Sequence, residues 1–326
     1  MFAAQNEKIR TRYVYNFDEL GCAPDGACSA KVEMRGPAAG RVGANTQAAS
    51  NVAVVTGSRC HVALMRRARG TGSKIHACAN EQFQYVLQGT LIADIDGEVL
   101  RVPTAHVIHV PAGMPYGLAA GADDDAVFIV AMGVRPGVAG AARDGEAREL
   151  DFFAACAADD DTWQVQPGGS REPRTTKVSG RTVRYVYAID ELEEMPEGVS
   201  SAKVTPKNYV SKKSSSLGAA LSGETLHVGV IHKTRGSGAK LHTHPNEQFN
   251  LVLEGKLLGE IDGLPMEVLP RGLIHMPAGV QHCTMASADG DLTVFVVKDT
   301  SHGLAGPPVD GIEDGPRFLP GFGPQK

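Results

Sequence analysis

The sequence predicts an all-β chain that contains two copies of one folding unit. Short runs of valine, isoleucine and leucine are separated by glycine and proline, a pattern typical of short β-strands joined by tight turns. Residues 70–116 and 236–282 align without a gap at an offset of 166 and are identical at 21 of 47 positions. A chain of 326 residues can hold two domains of ordinary size. We therefore expect two β-barrels related by a pseudo-two-fold axis.

The composition argues against several classes of partner. The formal net charge is −5 and no basic patch with interleaved aromatics is present, so a nucleic-acid partner is not expected. No apolar run approaches the roughly 20 residues that a membrane helix needs, and residues 1–12 lack the apolar stretch of a signal peptide. Six cysteines without framework spacing are typical of reduced thiols. These features predict a cytoplasmic protein, with no membrane partner, that acts on a small-molecule substrate.

The chain divides into four segments by composition. Residues 1–134 are expected to form the first unit and residues 180–300 the second. Residues 135–179 contain Gly- and Ala-rich stretches and are predicted to form a linker with one short helix at Glu146–Ala158. Residues 301–326 are a Pro- and Gly-rich tail, which we expect either to cover a surface or to stay disordered.

A short arm precedes each unit and is also repeated. Arg12–Leu20 recurs as Arg184–Leu192 at an offset of 172, so the first copy carries six extra residues. We place these residues in Gly36–Ser50, which has the composition of a loop. Because exposed edge strands need cover, the two arms are expected to pair across the domain boundary.

Strand signals follow one another regularly within each copy. Asp262-Gly263 and its counterpart Asp96-Gly97 are hairpin signals, because glycine tolerates a positive φ. Glu254-Gly255 ends one strand and turns into the next. The strands predicted in the second copy are Thr225–Thr234, Lys240–His244, Gln248–Glu254, Lys256–Ile261, Leu273–Met276 and Leu292–Val297.

The second copy contains a candidate metal site. In a strand, residues i and i+2 face the same way, so His242 and His244 would project from one face about 6.6 Å apart. Gln248 can supply a carbonyl oxygen, and His282 follows a Pro-Ala-Gly turn. This set of three nitrogens and one neutral oxygen would leave two positions open on a six-coordinate ion and accepts Fe, Mn, Co, Ni or Zn. The alternative is that these are ordinary pocket histidines.

The first copy has lost part of this pattern. The equivalent residues are His76, Cys78, Gln82 and Tyr116. Cysteine and tyrosine can bind metals, so a variant site remains one interpretation, but an empty degenerate site in a barrel retained for packing is the simpler one. Because a glutamine persists in this copy, Gln248 could serve a structural hydrogen bond and not a metal.

Three further residues are candidates for catalysis. Asn250 should share the face of Gln248 and so contact a substrate, unless it is a satisfied core amide. Glu247 should face the opposite way, which is more typical of an interstrand partner than of a base. His275 has a counterpart in His109, which favours packing, although proton transfer is its alternative role.

Both halves resemble the cupin family, and the chain resembles a two-domain cupin, or bicupin, of the RmlC-like superfamily. The family pattern is a glycine, five residues, His-x-His, three or four residues, glutamate, six residues and glycine, followed later by Pro-x-Gly, two residues and histidine. The residues that match are Gly236, His242, His244, Gly255, Pro277, Gly279 and His282. Gln248 stands at the glutamate position. The resemblance implies tandem jelly-roll barrels (double-stranded β-helices) and a homodimer.

The departure at Gln248 bears on the expected chemistry. Cupins with a neutral His-His-Gln-His set are similar to isomerases, lyases and ring-opening enzymes. Neutral ligands leave the full charge on the ion, which favours Lewis-acid chemistry of isomerase, lyase or decarboxylase type on a small oxygenated metabolite. A non-haem metal dioxygenase and a non-catalytic small-molecule-binding cupin remain the alternatives, since the fold alone does not fix the function.

Overall fold

The computed structural model describes residues 12–17, 28–35, 50–73, 75–134, 163–164, 176–178, 181–192, 200–210 and 214–323. The described chain is almost entirely β-structure. The predicted linker helix at 146–158 and most of the predicted loop at 36–50 lie outside the described residues. Among the described residues, no helix is long and apolar enough to cross a membrane.

Twelve strands belong to the first half by sequence, and three short ones follow. The strands of the first half are β1 (Val14–Asn16), β2 (Lys31–Arg35), β3 (Ser50–Thr56), β4 (Cys60–Arg67), β5 (Thr71–Gly72), β6 (His76–Ala77), β7 (Gln82–Gln88), β8 (Thr90–Ile95), β9 (Glu98–Pro103), β10 (His106–Val110), β11 (Pro115–Ala120) and β12 (Ala126–Gly133). The three short strands are β13 (Trp163–Gln164), β14 (Thr176–Val178) and β15 (Arg181–Val183).

The second half repeats this succession of strands. Its strands are β16 (Val186–Ala188), β17 (Lys203–Val210), β18 (Leu217–Ser222), β19 (Leu226–Lys233), β20 (Ser237–Gly238), β21 (Gln248–Glu254), β22 (Leu257–Ile261), β23 (Leu264–Val268), β24 (Gly272–Met276), β25 (His282–Ala286), β26 (Leu292–Asp299) and β27 (Arg317–Phe318). A single turn of 3-10 helix covers Ile189–Glu191.

Each half is a jelly roll made of two antiparallel sheets. In the first half, a seven-stranded sheet of order β16-β10-β7-β12-β4-β3-β2 faces a six-stranded sheet of order β13-β5-β11-β8-β9, in which β6 also pairs with β11. In the second half, a seven-stranded sheet of order β1-β24-β21-β26-β19-β18-β17 faces a five-stranded sheet of order β23-β22-β25-β20-β27. β14 and β15 form a separate hairpin. The predicted all-β, duplicated fold is confirmed.

The two arms exchange between the halves. β1 pairs with β24 of the second half, with Val14 opposite Ile274, and β16 pairs with β10 of the first half, with Val186 opposite Ile108. Each arm thereby covers the edge of the other half's seven-stranded sheet. The predicted pairing across the domain boundary is confirmed for the described parts of both arms.

A shared core lies between the two seven-stranded sheets. Alternate side chains of both sheets point into one apolar cluster, in which the rings of Tyr85 and Phe295 stack with centroids 4.8 Å apart. Tyr15 and Tyr187 of the arms are fully buried in the same cluster. Since strands alternate their faces, the remaining side chains point into the interior of each jelly roll. These interiors contain the functional difference between the halves.

Local turn chemistry agrees with the prediction, but one predicted strand was wrong. Asp96 and Asp262 have φ values of 53° and 52°, and the glycines that follow them are also positive, as type I′ hairpins require. Residues 240–244 are not a strand. This segment makes only isolated bridges, to the start of β25 and to the tail, and bends at 245–246 beside Pro245. Sequence patterns also missed β17, β18, β23 and β25.

Candidate metal centre

Three histidines of the second half converge. His242 and His244 lie between β20 and β21, and His282 is the first residue of β25. Their potential ligand nitrogens all lie within 4.8 Å of one another. Two backbone hydrogen bonds of 3.0 and 2.9 Å hold His242 beside His282, and Gly279 N–H donates to the carbonyl of His244 at 2.9 Å. The convergence arises from this backbone bridge and not from the i, i+2 spacing of a strand.

Each histidine uses one ring nitrogen to fix its orientation. Nδ1 donates to a backbone carbonyl two residues away, at 2.8 Å for His242, 3.0 Å for His244 and 2.9 Å for His282. This leaves Nε2 of each ring as the nitrogen with the free lone pair. Among the described residues, Nε2 of His244 and Nε2 of His282 are buried and have no hydrogen-bond partner. Buried polar atoms normally have one, so this pair indicates a ligand site.

The three imidazoles are neutral at physiological pH. Burial lowers the pKa of all three rings and is the main cause of the shift. The pKa falls to about 4 for His244 and to about 2 for His282, and it is also lowered for His242. The imidazoles also disfavour charge on one another, because each lies close to the next. A neutral imidazole is the form that binds a metal ion, so no proton has to be displaced at pH 7.

Gln248 and Asn250 lie on the same face of β21, as strand alternation predicts. The Gln248 amide nitrogen donates to Asn250 Oδ1 at 2.7 Å, which leaves the Gln248 amide oxygen available to a ligand. The amide also lies beside His244, although no hydrogen bond of normal geometry joins it to Nε2. Asn250, 2% exposed, therefore both lines the cavity and orients Gln248.

These side chains open into a cavity of about 160 Å³ in the second half. Strands β18, β19, β21 and β26 form one side, and residues 304–306 with Pro308 of the tail form part of the wall. Three buried lysines, Lys233, Lys240 and Lys298, line it, whereas no aspartate or glutamate is among its described lining residues. Pockets for drug-sized ligands are roughly 300–1,000 Å³, so this cavity suits a small molecule.

A comparison with protein families bears on both halves. The model described as "Cupin domain" matches residues 63–132 and again residues 230–298. The chain is a two-domain cupin. The second match includes the three histidines, Gln248 and most of the cavity strands. Curated protein sequences gave no match.

Solved structures of Bacillus subtilis oxalate decarboxylase have the same fold as this bicupin. A serine-to-alanine mutant of that enzyme gives a TM-score of 0.58 at 14% identity, covering 93% of this chain and 82% of that one. A structure titled for its Mn(II) centres gives 0.57 with the same identity and coverage. A tryptophan-to-tyrosine variant gives 0.55 at 14% identity, covering 89% and 78%. At this level of identity the similarity concerns the fold alone.

The first half of the bicupin has different contacts at the equivalent positions. The Tyr116 hydroxyl donates to Gln82 Oε1 at 3.1 Å, so a phenol occupies the amide oxygen that the second half leaves available. The rings of His76 and Tyr116 lie 4.5 Å apart, and Cys78 Sγ lies 4.0 Å from Met132 Sδ. The counterparts of the second-half site thus contact one another.

Larger apolar side chains also fill the interior of the first half. Cavity-lining residues of the second half that have bulkier or apolar equivalents here are Gly218 with Val52, Val294 with Phe128, and Lys298 with Met132. These three equivalents are buried in one apolar cluster together with Cys78 and Tyr116. One interior is therefore filled by apolar side chains and the other is a cavity that contains charged and polar groups, although the strands around them correspond.

Glu247 and His275, two predicted candidates for proton transfer, lie away from the cavity. Glu247 accepts hydrogen bonds from the backbone N–H groups of Ser58 (2.8 Å), Arg59 (2.7 Å) and Cys60 (3.1 Å), and from His275 Nε2 at 3.0 Å. We call this cluster the Glu247 junction, since it joins the second half to the first. Strand alternation turns Glu247 away from the cavity, so we do not retain a role in catalysis for either residue.

The first half contains the equivalent cluster. Glu81 accepts from the backbone N–H groups of Glu224 (2.8 Å), Thr225 (2.7 Å) and Leu226 (3.2 Å), and from His109 Nε2 at 2.9 Å. We call it the Glu81 junction. Each half thus inserts one carboxylate into a turn of the other half. The interpretation of the repeated histidine as a packing residue agrees with this geometry.

The junction carboxylates stay ionised well below neutral pH. Burial alone would raise the pKa of Glu81 and Glu247. The hydrogen bond and charge of the partner histidine, together with the backbone N–H groups, outweigh burial and lower the pKa of each from 4.5 to about 2.

Sequence reasoning missed the three cavity lysines, Lys233, Lys240 and Lys298. A usable signal was present, because Val294, Val296 and Lys298 alternate along one strand and so share a face. The repeat supplied a second signal, since the position of Lys298 is taken by Met132 in the first half. A lysine on an inward face is unusual unless it has a partner.

Proposed function

We propose that this bicupin is an enzyme that depends on one divalent transition metal held in its second half. The ligands would be His242, His244, His282 and the amide oxygen of Gln248. Its reaction would be Lewis-acid chemistry, of isomerase, lyase or decarboxylase type, on a small oxygenated metabolite. The observation that carries the proposal is the pair of buried Nε2 atoms that lack a partner and face a shared space.

The donor set fits a borderline divalent ion. Three imidazole nitrogens and one amide oxygen carry no charge, so a bound ion would keep its full charge for polarising a substrate carbonyl or acidifying water. The Nδ1 hydrogen bonds hold the three rings in place and make Nε2 a better donor. Asn250 holds the amide of Gln248 with its oxygen free. Apolar residues Val294 and Val296 line the space beside them.

The structural similarity supports this proposal only in part. The enzyme from Bacillus subtilis is named for the decarboxylation of oxalate, and one title refers to its Mn(II) centres. A decarboxylase reaction and a manganese ion are therefore reasonable choices among those that the ligand set allows. Neither follows from a fold shared at 14% identity.

Metal content measured by mass spectrometry tests the proposal. We expect about one equivalent in tag-free wild-type protein and a large loss in His242→Ala, because one of the few ligands is removed. His227→Ala is the matched control. His227 also lines the cavity, but its Nδ1 already interacts with the Ser222 hydroxyl at 2.7 Å, so the metal content should not change.

Other results of these measurements would favour one of the alternative functions or sites. Protein that retains no metal after gentle purification would refute the proposal and favour a small-molecule-binding cupin. Two equivalents would indicate a variant site at Cys78 in the first half. Turnover that requires O₂ would indicate a dioxygenase and refute Lewis-acid chemistry.

A further inference from the structure

Lys298 places a positive charge at the candidate metal site. It lines the cavity, is 3% exposed and stands opposite Gln248 in the register of β26 and β21. His242, Gln248 and His282 line the same cavity. The Lys298 side chain therefore shares this cavity with candidate metal ligands.

The protein uses only part of the hydrogen-bonding capacity of this ammonium group. Nζ donates to the carbonyl of Leu304 at 2.9 Å, which accounts for one of its three N–H groups. In the part of the chain that the structure describes, no carboxylate forms an ion pair with Lys298. The neighbouring Asp299 faces the other way, where its carboxylate accepts from Ser301 N–H at 2.8 Å and from Arg59.

The charge of the cavity is unbalanced. A lysine side chain is ordinarily protonated at pH 7, and Nζ of Lys298 donates to a carbonyl oxygen as an ammonium group does. A buried charge without a partner costs free energy. A divalent ion on four neutral donors would add to the positive charge. The missing partner is therefore an anion, and it must come from outside the described chain.

The first half distinguishes Lys298 from the other two cavity lysines. Lys240 pairs with Asp310 and Asp314, and a lysine, Lys74, stands at its equivalent position. Met132 takes the place of Lys298 in the half where cysteine and tyrosine take the places of His244 and His282. The charge is thus absent where two of the three histidines are absent. If Lys298 were needed only for the jelly-roll fold, we would expect a lysine at the equivalent position of both halves, whether or not the histidines are present.

Lys233 behaves differently. Its Nζ donates to the backbone carbonyl of Thr284 at 2.9 Å and to the hydroxyl of the same residue at 3.1 Å. The equivalent residue in the first half is Arg67, which donates to the backbone carbonyl of Leu118, the equivalent of Thr284. The same strand-to-strand contact exists in a half without the three histidines. Lys233 is therefore a structural residue and a suitable control.

We propose that the cavity binds a small carboxylate, whose carboxylate group is held by Lys298 while an adjacent oxygen faces the three histidines. This rests on the proposed function, because the adjacent oxygen would be the atom that the metal polarises. A short hydroxy- or keto-acid carries both groups on adjacent carbon atoms. A carboxylate is favoured over a phosphate, because phosphate sites usually gather several N–H donors or arginines, whereas Lys298 is the one described lysine of this cavity with two N–H groups unused.

Calorimetric titration of the full-length, manganese-loaded protein tests this inference. The probes are glycolate and its neutral amide, glycolamide, which differ mainly in charge. We expect Lys298→Met, which introduces the first-half residue, to weaken glycolate binding at least ten-fold, since a charge-assisted hydrogen bond is lost. Glycolamide binding should change little. Lys298→Arg should retain most of the glycolate affinity, and Lys233→Met should change it by less than about three-fold.

Several outcomes would overturn the inference. If glycolate binds equally to wild type and Lys298→Met at equal metal content, or does not bind wild type, the inference fails and the proposed function stands. If inorganic phosphate binds more tightly than glycolate, the carboxylate class is wrong. Should Lys298→Met not fold, Lys298→Gln removes the charge and keeps a donor for Leu304. If no metal binds, the proposed function fails, and the same titration of metal-free protein still tests Lys298.

Discussion

The Glu247 junction leads to a prediction about stability. Glu247→Gln keeps the shape of the side chain but removes its charge and replaces one oxygen by an NH₂ group. Every partner of this carboxylate acts as a donor, namely His275, the N–H groups of Ser58, Arg59 and Cys60, the Ser58 hydroxyl and the Cys60 thiol. Whichever way the amide turns, its NH₂ group faces a donor. At least one N–H group of the turn at residues 58–60 then loses its acceptor.

Two routes to the magnitude agree. The pKa of Glu247 falls from 4.5 to about 2 on folding, which corresponds to about 3 kcal/mol of stability at about 1.4 kcal/mol per pKa unit. Independently, removal of one partner from a buried charged cluster costs about 3–5 kcal/mol. We therefore expect Glu247→Gln to lower the free energy of unfolding by about 3–4 kcal/mol. This is a large fraction of the roughly 5–15 kcal/mol that holds a folded protein together.

Guanidinium denaturation followed by circular dichroism measures this change. Glu81→Gln should give a similar loss, because the Glu81 junction has the same geometry. Glu254→Gln, at the exposed end of β21, should change stability by less than about 0.5 kcal/mol. If Glu247→Gln destabilises the protein by less than about 1 kcal/mol, the junction does not have the energetic role that its geometry indicates.

Three further predictions follow from the same contacts. Stability should begin to fall as the pH drops below about 6.5, where the unfolded chain protonates histidines that burial keeps neutral, and fall further between about pH 4.5 and 2, because Glu81 and Glu247 have a depressed pKa in the folded state; unchanged denaturation midpoints from pH 5 to 2.5 would contradict this. Deleting residues 1–17 should lower the melting temperature, because the edge strand β24 loses β1. Deleting residues 303–326 should open the cavity and speed metal loss to a chelator, because part of its wall is removed.

Much of the fold was accessible from the sequence, because it depends on local rules. Asp-Gly pairs select hairpins with positive φ, and Gln248 and Asn250 were assigned to one face by the period of a strand. The arms were expected to exchange because edge strands need cover, and the repeat identified which segments correspond. These inferences need only neighbouring residues or a matching copy.

The features that the sequence did not predict correctly depend on contacts between distant segments. His242 is placed by its backbone bridge to His282, forty residues later, and by the tail at Pro308. No pattern within residues 240–244 reveals either partner. The role of Glu247 likewise comes from N–H groups of the other half, near Ser58. A sequence pattern can show which way such a residue faces, but not what it meets there.

The internal repeat separates these two kinds of residue more clearly than either half does alone. Glu81 and Glu247 are both glutamate because each faces the opposite half, where each accepts hydrogen bonds from the N–H groups of an equivalent turn. Lys298 and Met132 differ because each faces its own interior, where one half retains a cavity and the other is packed with apolar side chains. In these two pairs, identity between the copies accompanies a contact with the other half, and difference accompanies the cavity. By this reasoning, the substitution of Lys298 is as informative about function as the loss of the histidines.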